Sequence, residues 1–321
     1  MKIDSEYHTI AGKNIVETNV KYLEYRKKWH EYPKKKKVAS FPLFLDIDIT
    51  DVCNLRCPFC LRQSNPELIL NKKMSFAMFR KIIDEGSQHG LYGCKLNIIG
   101  EPLIHKKVFD MIKYAKKKGL VDVYFNTNAF FLDEDKARKL IDAKLDRFSV
   151  SFEGHNKAVY EKHRIGSNYE KVVSNIKKMQ KIKQDLGVNY PKIRIQTVLL
   201  PEIKDYIDEY IEFWKPIADE VGFLDYQPRV EKSKVLKSNW CCPQLWQRMG
   251  ILVDGTIIPC NHDERKLNEL GNVRDTKIYD AWHSLEMNVT RAHHIMGNSH
   301  AIPSCKICYL RESEILKEKN I

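Results

Sequence analysis

From residue 43 the chain alternates between two hydrophobic periods. Leu43–Thr50 (LFLDIDIT) puts apolar side chains at every second position, the pattern of a strand with one buried face. Phe76–His89 then shifts to the 3.6-residue spacing of an amphipathic helix. The same exchange repeats downstream. Strands are predicted at 95–99, 121–126, 146–152, 192–199 and 220–226, and helices at 105–118, 133–143, 169–185 and 203–214. Gly119 ends the second helix, and Asp133 to Asp135 place acid in the first turn of the third. Six strand–helix units in a row imply βαβ crossovers and a parallel sheet. Periodicity alone leaves two architectures open, a doubly wound sheet or an incomplete barrel. In both, the reactive site lies at the C-terminal ends of the strands.

The flanks read differently. Residues 1–40 form a charged, helical N-terminal extension with a partial apolar stripe at Tyr22, Tyr25 and Trp29. Residues 41–228 hold the α/β units. Residues 229–321 break the pattern, with a Gly-turn hairpin around Val253–Cys260, two helical stretches and four cysteines, and read as a small metal-stabilised module.

Composition adds a boundary to this picture. Hydrophobic residues make up 43% of the 321, enough for a real core. No apolar run reaches the length of a membrane span, and the polar N-terminus carries no secretory pattern, so the expected location is the cytoplasm, with no membrane partner. The net charge of +12 comes mostly from lysines spread over helices. Without a nucleic-acid motif this reads as a solvated surface and no nucleic-acid partner is expected; an anionic small-molecule substrate is the weaker alternative.

Nine cysteines, an odd number without a secretory context, argue against a disulfide framework and leave thiols for metal. Cys53, Cys57 and Cys60 sit on one loop directly after the first strand. Three thiolates so close need a cation, and soft sulfur suits iron–sulfur or zinc. Three local ligands leave one position of a four-ligand cluster open, as catalysis requires, whereas a structural zinc site is closed. Cys242, Cys260, Cys305 and Cys308 group toward the C-terminus, and a four-cysteine zinc site is one reading of them. Cys94 reads as a small buried hydrophobe. Cys241 competes with Cys242 as a ligand, and either spare thiol is a weak hydrogen-donor candidate.

The CxxxCxxC spacing after the first strand resembles the signature of the radical S-adenosylmethionine superfamily, and the aromatic Phe59 before its last cysteine fits. Four further strand-end segments resemble that family in order. Ile99-Gly100-Glu101-Pro102 is similar to its GGEP motif, with Ile99 replacing a glycine. Asn126-Thr127-Asn128 resembles its TNG turn. Ser149–Gly154 resembles its SxDG segment, with Glu153 for Asp, and Tyr160–Arg164 its Y-x3-R. The resemblance covers residues 43 to about 226. It implies a partial (β/α)6 TIM-like barrel. It also implies a cosubstrate site that includes Phe59, Gly100, Glu101, Asn126, Asn128, Ser151, Glu153 and Arg164. In that family a cluster iron binds S-adenosylmethionine, and one electron cleaves it to a 5′-deoxyadenosyl radical.

The second cysteine set resembles the SPASM and shortened twitch modules of the same superfamily, which implies one auxiliary cluster and two 4Fe–4S clusters in all. The four-cysteine arrangement is similar to that of the twitch cyclitol dehydrogenases. The expected activity is therefore oxidation of a small polyol, sugar or cyclitol, with an electron passing to the auxiliary cluster and a flavodoxin or ferredoxin as donor. Sugar epimerisation and peptide modification are the alternatives. Asp225, Gln227, Arg229, His262 and Asp263 are candidates for the pocket wall.

Overall fold

The computed structural model describes residues 8–12, 19–154, 156–225 and 238–318. Among them are nine strands: β1 (His8–Gly12), β2 (Phe44–Ile47), β3 (Gly93–Lys95), β4 (Asp122–Thr127), β5 (Arg147–Ser151), β6 (Lys192–Leu199), β7 (Glu220–Asp225), β8 (Arg248–Ile251) and β9 (Ile257–Ile258). They form one sheet in the order β1-β7-β6-β5-β4-β3-β2-β8-β9. From β2 to β7 neighbours follow chain order, and every pair is parallel. That order decides between the two architectures. A doubly wound sheet reverses its direction of growth at a switch point. From β2 to β7 growth keeps one direction, so right-handed crossovers place the helices on one face and the sheet curls into a partial TIM-like barrel.

Strand alternation sorts the side chains. Leu45, Ile47, Cys94, Val123, Phe125, Phe148, Val150, Ile193, Ile195 and Val221 point outward and share one core with the helices. The alternate positions point inward and are polar. Asn126, Arg147, Ser149, Lys192, Arg194, Gln196 and Glu220 line a cavity of about 390 Å³, the lumen of the barrel. The helix Val20–Lys35 sits at the end where the strands begin, with Tyr25 stacked on Phe44 and Tyr92 at 6.3 and 5.5 Å.

The C-terminal residues extend the same sheet. β8 runs parallel to β2, β9 returns antiparallel, and Asp254-Gly255 lies in the connection between them. Four helices follow, at Ile278–Trp282, Leu285–Ile295, Pro303–Lys306 and Tyr309–Glu318, where the pattern predicts two helical stretches.

Other boundaries also shift, for local reasons. β3 stops at Lys95 and not at residue 99, because the chain turns so that the Ile98 and Ile99 N–H groups reach the Asp48 carboxylate. Pro102–Ile104 is a 3-10 turn, and the helix expected from residue 105 starts at Val108. The helix expected over 203–214 is divided into Pro201–Lys204 and Ile207–Trp214. Within the segment expected to be helical, His8–Gly12 is instead a strand, antiparallel to β7. Among the described residues no helix is long and apolar enough to cross a membrane.

Candidate active site

The loop carrying Cys53, Cys57 and Cys60 leaves the C-terminal end of β2 and is pinned at several points. Asp51 accepts hydrogen bonds from the Leu70 and Lys72 N–H groups, both at 2.6 Å. The Glu101 N–H donates to the Val52 carbonyl at 2.9 Å, and the Arg56 N–H to the Ile165 carbonyl at 2.9 Å. Three donors face the sulfurs: the Leu55 N–H at 3.5 Å and Asn128 Nδ2 at 3.8 Å from Cys53 Sγ, and Arg164 Nη1 at 3.5 Å from Cys57 Sγ. Burial pushes the Cys53 thiol up to about 11, with Glu101, Cys57 and Cys60 adding to the rise, and also raises Cys57. Such thiols ionise together only when a cation neutralises them, so the donor set fits a metal cluster with an open position.

The strand-end residues form one connected frame beside that loop. Gly100 packs so tightly that a Cβ there would stand 2.0 Å from the Thr50 carbonyl oxygen. Glu101 is buried, and three donors converge on its carboxylate: the Leu103 N–H at 3.0 Å and the Thr127 hydroxyl at 2.7 Å on Oε1, and the Asn128 N–H at 2.7 Å on Oε2. Glu101 is thus a strut between the ends of β3 and β4. Asn128 Nδ2 donates to Asn54 Oδ1 at 3.0 Å, and Asn128 Oδ1 accepts from the Phe130 N–H. Asn126 points into the lumen. Ser151 closes β5 and is half-buried. Arg164 ion-pairs with the buried Glu153 and lies 5.5 Å from the centre of the Phe59 ring. Two of the five Arg164 donors are used by Glu153 and Cys57.

The second thiol set assembles from separated segments. Cys242 precedes the turn Pro243–Trp246, Cys260 follows β9, Cys305 lies in Pro303–Lys306, and Cys308 precedes Tyr309–Glu318. All four line one apolar nest with Trp240, Leu245 and Leu310. Burial and the neighbouring thiols push Cys260 far above its usual range, and Cys305 is pushed up to about 12. Among the described residues no three metal-ligating side chains converge on a point the size of one ion; the sulfurs surround a space. The His294 ring spans two ligands. The Cys242 N–H donates to Nδ1 at 3.2 Å, so the proton sits on Nε2, which faces Cys305 Sγ at 3.3 Å.

The remaining candidates separate. Cys241 is absent from the nest wall and lies beside Lys36. Cys94 is fully buried on the outward face of β3, away from the lumen. His262 lines the thiol nest, its ring edge-on to Tyr309 at 5.0 Å. Asp263 is buried and organises its own loop, accepting from the Leu267 and Asn268 N–H groups. Gln227 and Arg229, with the Asp225 side chain, lie outside the described residues. Sequence reasoning missed His294, Trp240 and the lumen arginines. The last group was legible in β6, where Lys192, Arg194 and Gln196 alternate with apolar residues.

A partial barrel with an open three-cysteine loop at its strand ends and a closed four-cysteine nest beside its lumen defines a radical-generating iron–sulfur enzyme. The family models agree. Residues 47–213 match the Radical SAM superfamily, and residues 241–309 match an iron–sulfur cluster-binding domain, SPASM. The chain belongs to the radical SAM superfamily, in its SPASM-type group, whose cofactors are S-adenosylmethionine and two 4Fe–4S clusters. It is 28% identical over 188 residues to GTP 3′,8-cyclase of Limosilactobacillus fermentum, covering 58% of this chain and 54% of that one, about half its length. It is 25% identical over 323 residues to the tungsten-containing aldehyde ferredoxin oxidoreductase cofactor-modifying protein of Pyrococcus furiosus, covering 84% and 88%. Among solved structures, BtrN in complex with AdoMet and 2-DOIA matches with a TM-score of 0.57 at 17% identity, covering 84% of this chain and 93% of that one. Streptococcus suis SuiB bound to precursor peptide SuiA matches with a TM-score of 0.57 at 15% identity, covering 93% and 79%. At these identities the likeness is one of fold.

Proposed function

We propose that this enzyme oxidises a hydroxyl group of a small polyol, sugar or cyclitol held in the barrel lumen. Cys53, Cys57 and Cys60 would hold the cluster that binds S-adenosylmethionine, and Cys242, Cys260, Cys305 and Cys308 the auxiliary cluster. When bound, these groups supply a hydrogen-abstracting radical and an acceptor for the second electron. Gly100 lets its loop pack against the Thr50 and Val52 carbonyls beneath the Cys53 loop, and Arg164, oriented by Glu153, would hold the cosubstrate's carboxylate. Glu101 keeps Asn128 against the Cys53 loop, while Phe59 and Ser151 flank the site. A ferredoxin or flavodoxin would donate the electron, and the setting would be the cytoplasm.

One observation supports this reading: the lumen cavity shares wall residues with the auxiliary nest, and at Asn126 its wall follows β4 toward the Cys53 loop. Asn126 lines it two residues before Asn128, which touches Cys53. Trp240 and Leu310 line it and also line the auxiliary nest. A substrate there would lie between radical and electron acceptor. Epimerisation needs a hydrogen donor at the lumen, and neither Cys94 nor Cys241 faces it. The test is anaerobic incubation of the reconstituted enzyme with a sugar and cyclitol panel. A hit should yield 5′-deoxyadenosine and a carbonyl product. Cys305→Ala with Cys308→Ala should lose the carbonyl product and retain cosubstrate cleavage. An inverted carbinol centre carrying solvent deuterium would refute oxidation.

A further inference from the structure

The lumen holds a charge imbalance that the cofactor sites do not use. Among the described residues its wall presents Arg26, Arg147, Lys192, Arg194 and Arg248 against one carboxylate, Glu220. Two more carboxylates stand behind the wall. Asp122 takes two hydrogen bonds of 3.0 Å from Arg147. Asp46, fully buried, lies 3.3 Å from Arg248 and 3.1 Å from Lys95. Among the described residues, six cations therefore face three carboxylates, a surplus of positive charge that attracts an entering anion.

The guanidinium groups are also held in place. Arg147 lies 3.5 Å from the centre of the Tyr124 ring while Asp122 fixes its fork. Arg248 lies 4.7 Å from the centre of the Trp29 ring. Arg194 lies across β7 at Gly222, where a Cβ would stand 2.3 Å from its Nη2 atom, and its Nη1 is 3.6 Å from the Glu220 carboxylate. Arg147, Lys192 and Arg248 open β5, β6 and β8, which puts this cluster at the end of the lumen opposite the Cys53 loop. Arginines that are already ordered lose little entropy on binding, and their planar forks match the oxygens of an oxyanion.

We infer that this end of the lumen binds a phosphate monoester carried by the substrate. The inference rests on the lumen being the substrate cavity. The number of cations favours a dianion over a single carboxylate, and a phosphate anchored there points the rest of the molecule toward Asn126 and the Cys53 loop.

The test uses the full chain, anaerobic and cluster-loaded, saturated with S-adenosylmethionine so that Arg164 is occupied, and without reductant so that nothing turns over. Isothermal titration calorimetry compares inorganic phosphate, glucose 6-phosphate, glucuronate and glucose. Glucose 6-phosphate should bind most tightly, free phosphate more weakly, and both should weaken as salt rises. Arg194→Gln should weaken both by at least about tenfold, with Arg194→Lys intermediate, because a bidentate charged contact is lost. The exposed helix variant Lys113→Gln should bind as wild type, and circular dichroism checks that each variant is folded. Equal binding of glucose and glucose 6-phosphate, or equal losses in Lys113→Gln and Arg194→Gln, would overturn the inference. Glucuronate binding more tightly than glucose 6-phosphate would replace the phosphate with a carboxylate and refute it as stated. Oxidation of a neutral polyol without phosphate binding would sink this inference alone. Lumen-dependent phosphate binding with no phosphorylated substrate oxidised would sink the oxidation reading alone.

Discussion

Glu101 offers the sharpest test of the frame around the first thiol loop. Its carboxylate is 2% exposed and accepts from Leu103 N–H, Thr127 Oγ1 and Asn128 N–H at 3.0, 2.7 and 2.7 Å. Burial outweighs the three donors and raises its pKa, but every neighbour presents a hydrogen to it, and that geometry implies the ionised acceptor. Glu101→Gln keeps the shape and removes one acceptor oxygen. If the amide oxygen takes the Oε1 position, the new NH2 faces the Asn128 N–H. If it takes the Oε2 position, the NH2 faces the Leu103 N–H. Either way one buried backbone donor loses its partner, at about 1–3 kcal/mol, and the surviving bonds weaken by about 1 kcal/mol from charged to neutral. A total of about 2–4 kcal/mol at about 2 °C per kcal/mol gives a fall in Tm of about 4–8 °C. Differential scanning calorimetry of the metal-free, reduced chain measures this without cofactors, with Glu134→Gln on an exposed helix as the control. The same variant should bind S-adenosylmethionine more weakly once loaded, because Asn128 is no longer held. A Tm within about 1 °C of wild type would refute the reasoning, since it would mean that the carboxyl is already protonated and its neighbours are satisfied another way.

Two further outcomes follow from buried groups. Asp48 is fully buried and its carboxyl is pushed up to about 6 from 3.8, chiefly by desolvation. The folded state therefore holds that proton more tightly than the unfolded chain. Its contribution to stability is largest below about pH 4 and is lost as pH rises through about 6, a change of about 3 kcal/mol. Asp48→Asn should gain on wild type by about that amount between pH 4 and pH 7 in denaturant titrations of the metal-free chain, and a pH-independent difference would count against it. His294 donates one hydrogen bond toward Cys305 Sγ. His294→Leu should lower the auxiliary cluster's midpoint potential by about 40 mV, from about 1 kcal/mol at 59 mV per tenfold, with the first cluster unmoved in an EPR titration. An unchanged potential would remove His294 from the tuning of that cluster.

Much of this architecture could be read from the chain because each feature was local. The CxxxCxxC loop, the Asp254-Gly255 turn and the 3.6-residue periods need only neighbours in sequence to be recognised. What escaped depends on distant partners. Nothing local marks Arg248 as the start of a strand parallel to β2, because that pairing joins segments two hundred residues apart. His294 sits in a helix with no motif around it, and only the packing of Leu285–Ile295 against Cys242 and Cys305 gives it a role. Glu101 is identifiable as a motif residue. That its oxygens serve the backbone at Leu103 and Asn128 becomes visible only when β3 and β4 are side by side.

The way the two thiol sets are built bears on how the auxiliary variants should be read. The first set lies within eight residues on a loop fastened to its surroundings by Asp51, Val52 and Arg56, so its geometry exists before any metal arrives. The second draws on segments around Cys242, Cys260, Cys305 and Cys308, and the first two flank the β8–β9 hairpin. β8 is also the sheet neighbour of β2, and the Asp48 N–H donates to the Ile251 carbonyl at 2.8 Å. β2 in turn feeds the Cys53 loop, and Arg248 and Trp240 stand in the lumen wall. On the proposed reading, closing the auxiliary nest would complete the substrate cavity as well as an electron acceptor. Removing Cys305 and Cys308 should weaken substrate binding, read by calorimetry, as well as abolish carbonyl formation. His294→Leu, which leaves all four ligands in place, should alter the rate with KM unchanged. If the double cysteine variant bound substrate as tightly as wild type, the nest and the lumen wall would be mechanically independent, and the shared residues Trp240 and Leu310 would serve the electron path alone.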